Sequence, residues 1–179
     1  YVAFNPRFAD RLVPAFDELF EGGFFVGFKV LSSYWQIRVD DSGYDPMLSY
    51  ADEHGLPILF HTWDGNWDSP RMLTGAARKY PNARFLLGHS GGGTAGRLEA
   101  IELARAYPNV YLEFCGSFTS DYPWDKTFAQ VGFDRVVFGS DGGGAHDQAW
   151  ELGHLLSQPV PDDALRPVLG GTMKRLLGC

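Results

Sequence analysis

Short, wholly apolar runs alternate along this chain with longer stretches whose apolar residues recur at helical spacing. Residues 56–60, 84–87, 110–114 and 136–138 show almost no polar alternation, which predicts strands buried on both faces. Residues 1–5 and 24–30 read as two earlier strands, the second ending near Lys29. Between them, residues 11–20 place Leu12, Val13, Phe16, Leu19 and Phe20 on one side of a helix that Gly22-Gly23 stops. Asp45-Pro46 and Ser69-Pro70 each combine a cap residue with a proline at the first helical position, predicting helices that run to Gly55 and to Tyr80-Pro81. Residues 95–107, with Leu98, Ile101 and Ala104 in phase, form a further helix; 126–131 predict a short one, and helical segments continue to Gly178. Residues 31–43 and 63–68 read as loops.

The order is β-α repeated about six times, and one unit repeats in its letters. Ala77-Arg-Lys-Tyr-Pro-Asn82 matches Ala104-Arg-Ala-Tyr-Pro-Asn109, each copy closing a helix and opening a strand. Repeated βα units with apolar strands predict a parallel sheet covered by helices, either a closed eight-stranded barrel or an open doubly wound sheet. Three strands run into a polar residue at their C-terminal ends: His61, His89 and Asp141, with Lys29 a fourth candidate. All strand ends of a barrel converge on one mouth, whereas those of an open sheet lie along a line. The expected fold is therefore α/β of the (β/α)8 TIM-barrel type, as one domain over residues 1–179. A full barrel needs roughly 250 residues. Tyr1 already lies in a predicted strand, so an incomplete barrel lacking its first two strands is expected.

Composition narrows the class. The 45% hydrophobic and 15% aromatic content supplies a core and argues against disorder. A net charge of −7 argues against nucleic acid or an anionic membrane as partner. No apolar run approaches the length of a membrane span. Two cysteines, Cys115 and Cys179, make no disulfide framework, and no basic-then-apolar leader is visible, so a cytoplasmic setting is expected. The expected partner is a small-molecule substrate; homo-oligomerisation is left open.

The strand-end residues suggest the chemistry. Imidazole and carboxylate suit zinc or a similar divalent ion, which lowers the pKa of water bound to it to about 7. His61, His89 and Asp141 are thus candidate metal ligands, with Asp141 and His89 as the catalytic pair. Against this, a lone histidine after a strand is usually structural, and an aspartate before Gly142 commonly serves a turn. Lys29 could meet a substrate carboxylate or, if carbamylated, bridge metals, but a snorkelling strand-end lysine is the plainer alternative. Trp35, Trp63, Trp67 and Arg38 would rim the mouth and suit a planar anionic substrate, unless they only anchor loops. His146 could line the site; His54 and His154 fall in helices; Cys115 reads as a small buried residue. A rival reading comes from Gly88-His89-Ser90-Gly91-Gly92, a literal G-x-S-x-G. It would make Ser90 the nucleophile of an α/β-hydrolase, with Asp141 and His146 or His154 following in order. A third possibility is an inactive barrel fragment.

Several of these stretches together resemble the amidohydrolase-related family, in the branch that includes aminocarboxymuconate-semialdehyde decarboxylase-like enzymes. They are Gly27-Phe-Lys29, Leu56-Pro-Ile-Leu-Phe-His61-Thr62, Arg84-Phe-Leu-Leu-Gly-His89-Ser-Gly-Gly92, Asn109-Val-Tyr-Leu-Glu113 and Arg135-Val-Val-Phe-Gly-Ser-Asp141. The tail from Leu169 to Gly178 is similar to the family's closing helix. The resemblance implies a (β/α)8 barrel with one divalent metal, often zinc. His61 would match the fifth-strand ligand, His89 the sixth-strand histidine, and Asp141 the eighth-strand ligand and proton carrier. It implies hydrolysis of C–O or C–N bonds or, alternatively, decarboxylation of aromatic or unsaturated acids. The family's first-strand His-x-His pair is not found in this chain, and Thr172 stands where the family usually has Asn. On this reading the expected function is metal-dependent hydrolysis of a small, carboxylate-bearing molecule.

Overall fold

The computed structural model describes residues 1–116, 123–142 and 148–179. Among the described residues, six parallel strands form one sheet in the order β1-β2-β3-β4-β5-β6, each pairing with its neighbours in sequence. They are β1 (Val2–Ala3), β2 (Phe28–Val30), β3 (Pro57–His61), β4 (Arg84–Gly88), β5 (Val110–Phe114) and β6 (Val136–Phe138). The helices are α1 (Ala9–Leu12), α2 (Phe16–Phe20), α3 (Ser32–Trp35), α4 (Asp45–His54), α5 (Thr74–Lys79), α6 (Thr94–Ala106), α7 (Trp124–Val131), α8 (Gln148–Leu156) and α9 (Thr172–Leu177). A doubly wound sheet reverses its strand order at a switch point, and this one does not. It is the sheet of an incomplete TIM barrel, as the strand-end pattern predicts.

Alternation along the strands separates two environments. Phe28, Ile58, Phe60, Phe85, Leu87, Leu112 and their in-phase neighbours are fully buried in the core beneath the helices. The opposite face carries Lys29, Leu59, Leu86 and Tyr111 in register across β2–β5, with Glu113 beside Val137 further along. In a barrel that second face points inward.

Several predicted boundaries shift for local reasons. The predicted helix over 11–20 is divided into α1 and α2 by a 3₁₀ turn at Val13–Ala15, where Pro14 cannot supply a helical N–H. The predicted strand 24–30 pairs only over Phe28–Val30. The loop predicted at 31–43 contains α3, which Gln36 ends in a left-handed conformation. Asp45 does not cap α4; its carboxylate instead accepts from Lys79 Nζ (3.0 Å) and the Tyr80 hydroxyl (2.9 Å), joining α4 to α5. Ser69 likewise gives its hydroxyl to Glu99 on α6 rather than to its own helix.

Candidate functional site

Because the strands are parallel and in sequential order, their C-terminal ends share one edge. His61 is the last residue of β3, His89 follows β4, Cys115 follows β5, and Asp141 lies three residues beyond β6. His89, Cys115 and Asp141 each bring one metal-competent atom to within 4.8 Å of the others. The His61 ring meets the His89 ring edge-on, with centroids 4.8 Å apart. His89, Cys115 and Asp141 thus approach one another at this edge, and His61 lies against His89.

The backbone here is strained, and the strain is held by side chains. His89 (φ 60°), Ser90 (φ 46°) and Asp141 (φ 50°) all adopt left-handed conformations that non-glycine residues rarely take. Thr62 Oγ1 donates to the Gly88 carbonyl (2.6 Å) and accepts from the Gly91 N–H (2.9 Å), tying the end of β3 to this turn. Arg97, fully buried on α6, donates from Nε to the Ser90 carbonyl (3.0 Å). Ser90 Oγ is fully buried and donates to the Glu113 carbonyl (2.9 Å). Its hydroxyl thus stitches the turn to β5 instead of standing exposed as a nucleophile, and the strand order is not that of an α/β-hydrolase. Part of the glycine run follows from packing: a Cβ on Gly92 would lie 2.4 Å from the Trp63 ring.

Trp63 in turn walls the histidines, with ring centroids 6.1 Å from His61 and 5.4 Å from His89, and Tyr34 meets His61 edge-on at 5.3 Å. Lys29 faces the same group. Burial lowers its pKa, while Glu113, Cys115 and Asp141 pull it back up. Other predicted residues lie elsewhere. Arg38 is exposed, its guanidinium engaged at 2.9 and 2.8 Å by Asp40. Trp35 packs against the core, and Trp67 is exposed. His54 stacks on Tyr50, and His154 packs at a tilt against Trp124. His146 lies outside the described residues.

Three residues at the site carry no role in the sequence reading. Glu113 is buried; its Oε2 accepts from the Cys115 thiol (2.8 Å) and the His89 N–H (3.4 Å). Burial raises its pKa to about 7, against the lowering pull of Cys115 and Lys29. Oε1 rests where a Cβ on Gly139 would be, 1.5 Å away. Cys115 is buried as predicted, but its sulfur is 3.5 Å from His89 Nδ1, and that nitrogen donates to the Cys115 carbonyl at 3.0 Å. Asp68 is buried, its Oδ2 3.8 Å from His61 Nε2 and without a hydrogen-bond partner among the described residues. A charge inside an apolar strand was the available signal for Glu113. Cys115 could have been found by its position, the same post-strand step that His89 takes.

Burial lowers the pKa of both histidines, that of His61 to about 3 with help from His89 and Lys29, which keeps them neutral and able to offer lone pairs. Neutral imidazoles, a carboxylate and a thiol are ligand types for a divalent ion. Gly116 (φ +51°) leaves the space between them open: a Cβ there would stand 3.3 Å from His89 Nδ1 and 3.5 Å from Asp141 Oδ2. The residues present fit a metal ion.

No curated protein matches the sequence significantly. Among solved structures the chain is similar to an uncharacterised TIM-barrel protein of Bordetella bronchiseptica (20% identity, TM-score 0.77, covering 99% of this chain and 64% of that one). It is also similar to 5-carboxyvanillate decarboxylase of Sphingomonas paucimobilis (14%, 0.72, 98% and 65%). A dihydroxybenzoic acid decarboxylase of a Polaromonas species, with bound manganese and the inhibitor 2-nitroresorcinol, matches at 15%, 0.69, 97% and 66%. The chain thus spans 64–66% of the length of these three structures, and at such identities the likeness shows the fold. The amidohydrolase family model matches residues 1–179, and with the barrel-type sheet already described, the chain belongs to the amidohydrolase family.

Proposed function

We propose that this chain carries the site of a metal-dependent enzyme that removes a carboxylate from a small aromatic or unsaturated acid. The observation that supports this most is the approach of His89, Cys115 and Asp141 at one sheet edge, with His61 against His89, the rings of Trp63 and Tyr34 beside the histidines and Lys29 facing the group. The decarboxylase neighbours move this reading ahead of the hydrolysis expected from the sequence. His61, His89 and Asp141 would hold the divalent ion, which when bound polarises substrate oxygens as a Lewis acid.

The chain's own residues account for the rest. Trp63 and Tyr34 offer ring faces and edges to a planar substrate. The Lys29 ammonium attracts its carboxylate, and partial burial strengthens that attraction relative to water. The Asp141 carboxylate takes up a proton from solvent and hands it to the ring carbon that bears the carboxylate. The bond to the carboxylate then breaks, its electron pair returns to the ring, and carbon dioxide leaves. His89, held by the Cys115 carbonyl, keeps a fixed orientation beside the developing charge.

Family membership keeps hydrolysis of a lactone or amide as the second reading. A panel of hydroxylated benzoates, lactones and amides, assayed with added zinc or manganese, separates the two. Decarboxylation predicts carbon dioxide release that Asp141→Asn abolishes and Lys29→Met weakens mainly through KM. Hydrolysis of lactones or amides with no carbon dioxide from any acid would overturn the first reading.

A further inference from the structure

We infer that Cys115 is itself a metal ligand, adding a sulfur to the His61, His89 and Asp141 donors proposed above and so selecting a thiophilic divalent ion such as zinc. This rests on the metal reading proposed above and deepens it. His89, Cys115 and Asp141 leave adjacent strands at the same edge, and no donor atom is more than 4.8 Å from another. At the tetrahedral angle, two ligands on one zinc ion stand about 3.6 Å apart, given bonds of about 2.3 Å to sulfur and about 2.1 Å to nitrogen. The cluster's widest pair, within 4.8 Å, therefore needs to close by at most about 1 Å, a movement of side chains at strand ends. Gly116, next in the chain, keeps the centre of the cluster clear.

The thiol proton also has an acceptor. The sulfur donates to Glu113 Oε2 at 2.8 Å, so as the sulfur–metal bond forms, the S–H bond breaks and the proton passes to that carboxylate and on to solvent. Glu113 is held there by the space at Gly139, where any side chain would collide with it. A buried thiol needing only an apolar environment would have no use for a carboxylate oxygen at its sulfur, because burying that carboxylate is costly. A thiolate ligand favours zinc over manganese, so this chain should differ in metal preference from a site built of imidazole and carboxylate alone.

Cobalt substitution tests the inference without any assay of turnover. Cys179, exposed, is the only other cysteine, so a Cys179→Ser chain has a single thiol. Titrated with cobalt(II), it should show visible ligand-field bands together with a near-ultraviolet sulfur-to-cobalt charge-transfer band. Cys115→Ser should lose the charge-transfer band and keep the ligand-field bands. Ligand-field bands without charge transfer in the Cys179→Ser chain would overturn the thiolate and leave the metal site standing. No cobalt absorption in the wild-type chain would overturn both readings. Should Cys115→Ser fail to fold, the single-thiol chain still decides the question.

Discussion

Glu113 shows how one buried charge ties the site together. Its carboxylate receives the Cys115 thiol and the His89 N–H, and its carbonyl receives Ser90, so three of the residues that shape the site depend on it. Burial raises its pKa from 4.5 to about 7. A raised carboxyl pKa means that the folded chain binds a proton the unfolded chain has lost. The stabilisation is then complete below the unfolded value of 4.5 and is lost as pH rises through about 7. In the metal-free chain, wild-type stability should therefore fall relative to Glu113→Gln by roughly 3 kcal/mol between those limits. Urea denaturation of both chains across that range measures it, and parallel curves would show that Glu113 does not titrate there. The two histidines act in the opposite sense. Their lowered values remove stability as pH falls below about 6.5, but both chains share that effect.

At the level of elements, the internal repeat has a physical purpose. Each copy ends a helix whose last carbonyls need partners, and the next unit supplies them at equivalent positions. Asn109 Nδ2 donates to the carbonyls of Ala77 (3.2 Å), Tyr80 (2.9 Å) and Ala83 (3.1 Å). Arg135 donates from Nη2 to the matching carbonyls of Ala104 (2.9 Å) and Tyr107 (2.7 Å), one repeat later. Asn109→Ala should thus cost about 1–3 kcal/mol, the penalty for leaving buried carbonyls unpaired. Thermal denaturation reads the loss, and a change of only a few tenths would show that water replaces the amide. These elements were legible because their signals are local: apolar runs gave β5 and β6 with the bounds observed, and proline and glycine marked most helix ends. The failures were non-local. Asp45 and Ser69 look like caps in sequence, yet partners on neighbouring helices claim both side chains.

For the whole molecule, the sheet edge is what a metal ion would brace, since it would cross-link the ends of β3, β4 and β6. A ligand that binds only the folded state at about 100 times its dissociation constant adds about 2.7 kcal/mol, on the order of 5–10 °C in Tm for a chain of this size. Zinc should produce that shift, a chelator should reverse it, and Asp141→Ala should abolish it. An unchanged Tm on adding zinc or manganese would argue against a metal site. The acidic net charge of −7 does not oppose cation binding, and no helix among the described residues is long and apolar enough to cross a membrane.

The sequence by itself determined the parallel βα order and the delivery of His61, His89 and Asp141 to strand ends, because apolar periodicity and turn residues act within a few positions of one another. It also carried the family resemblance. Only the tertiary structure decided that Cys115 and Glu113 stand beside His89, that Ser90 is spent on a backbone carbonyl, and that Arg38 is turned to Asp40 at the surface. Those outcomes depend on which side chains meet across strands tens of residues apart. That meeting is set by sheet register and by left-handed turns at His89 and Asp141, which no local pattern encodes.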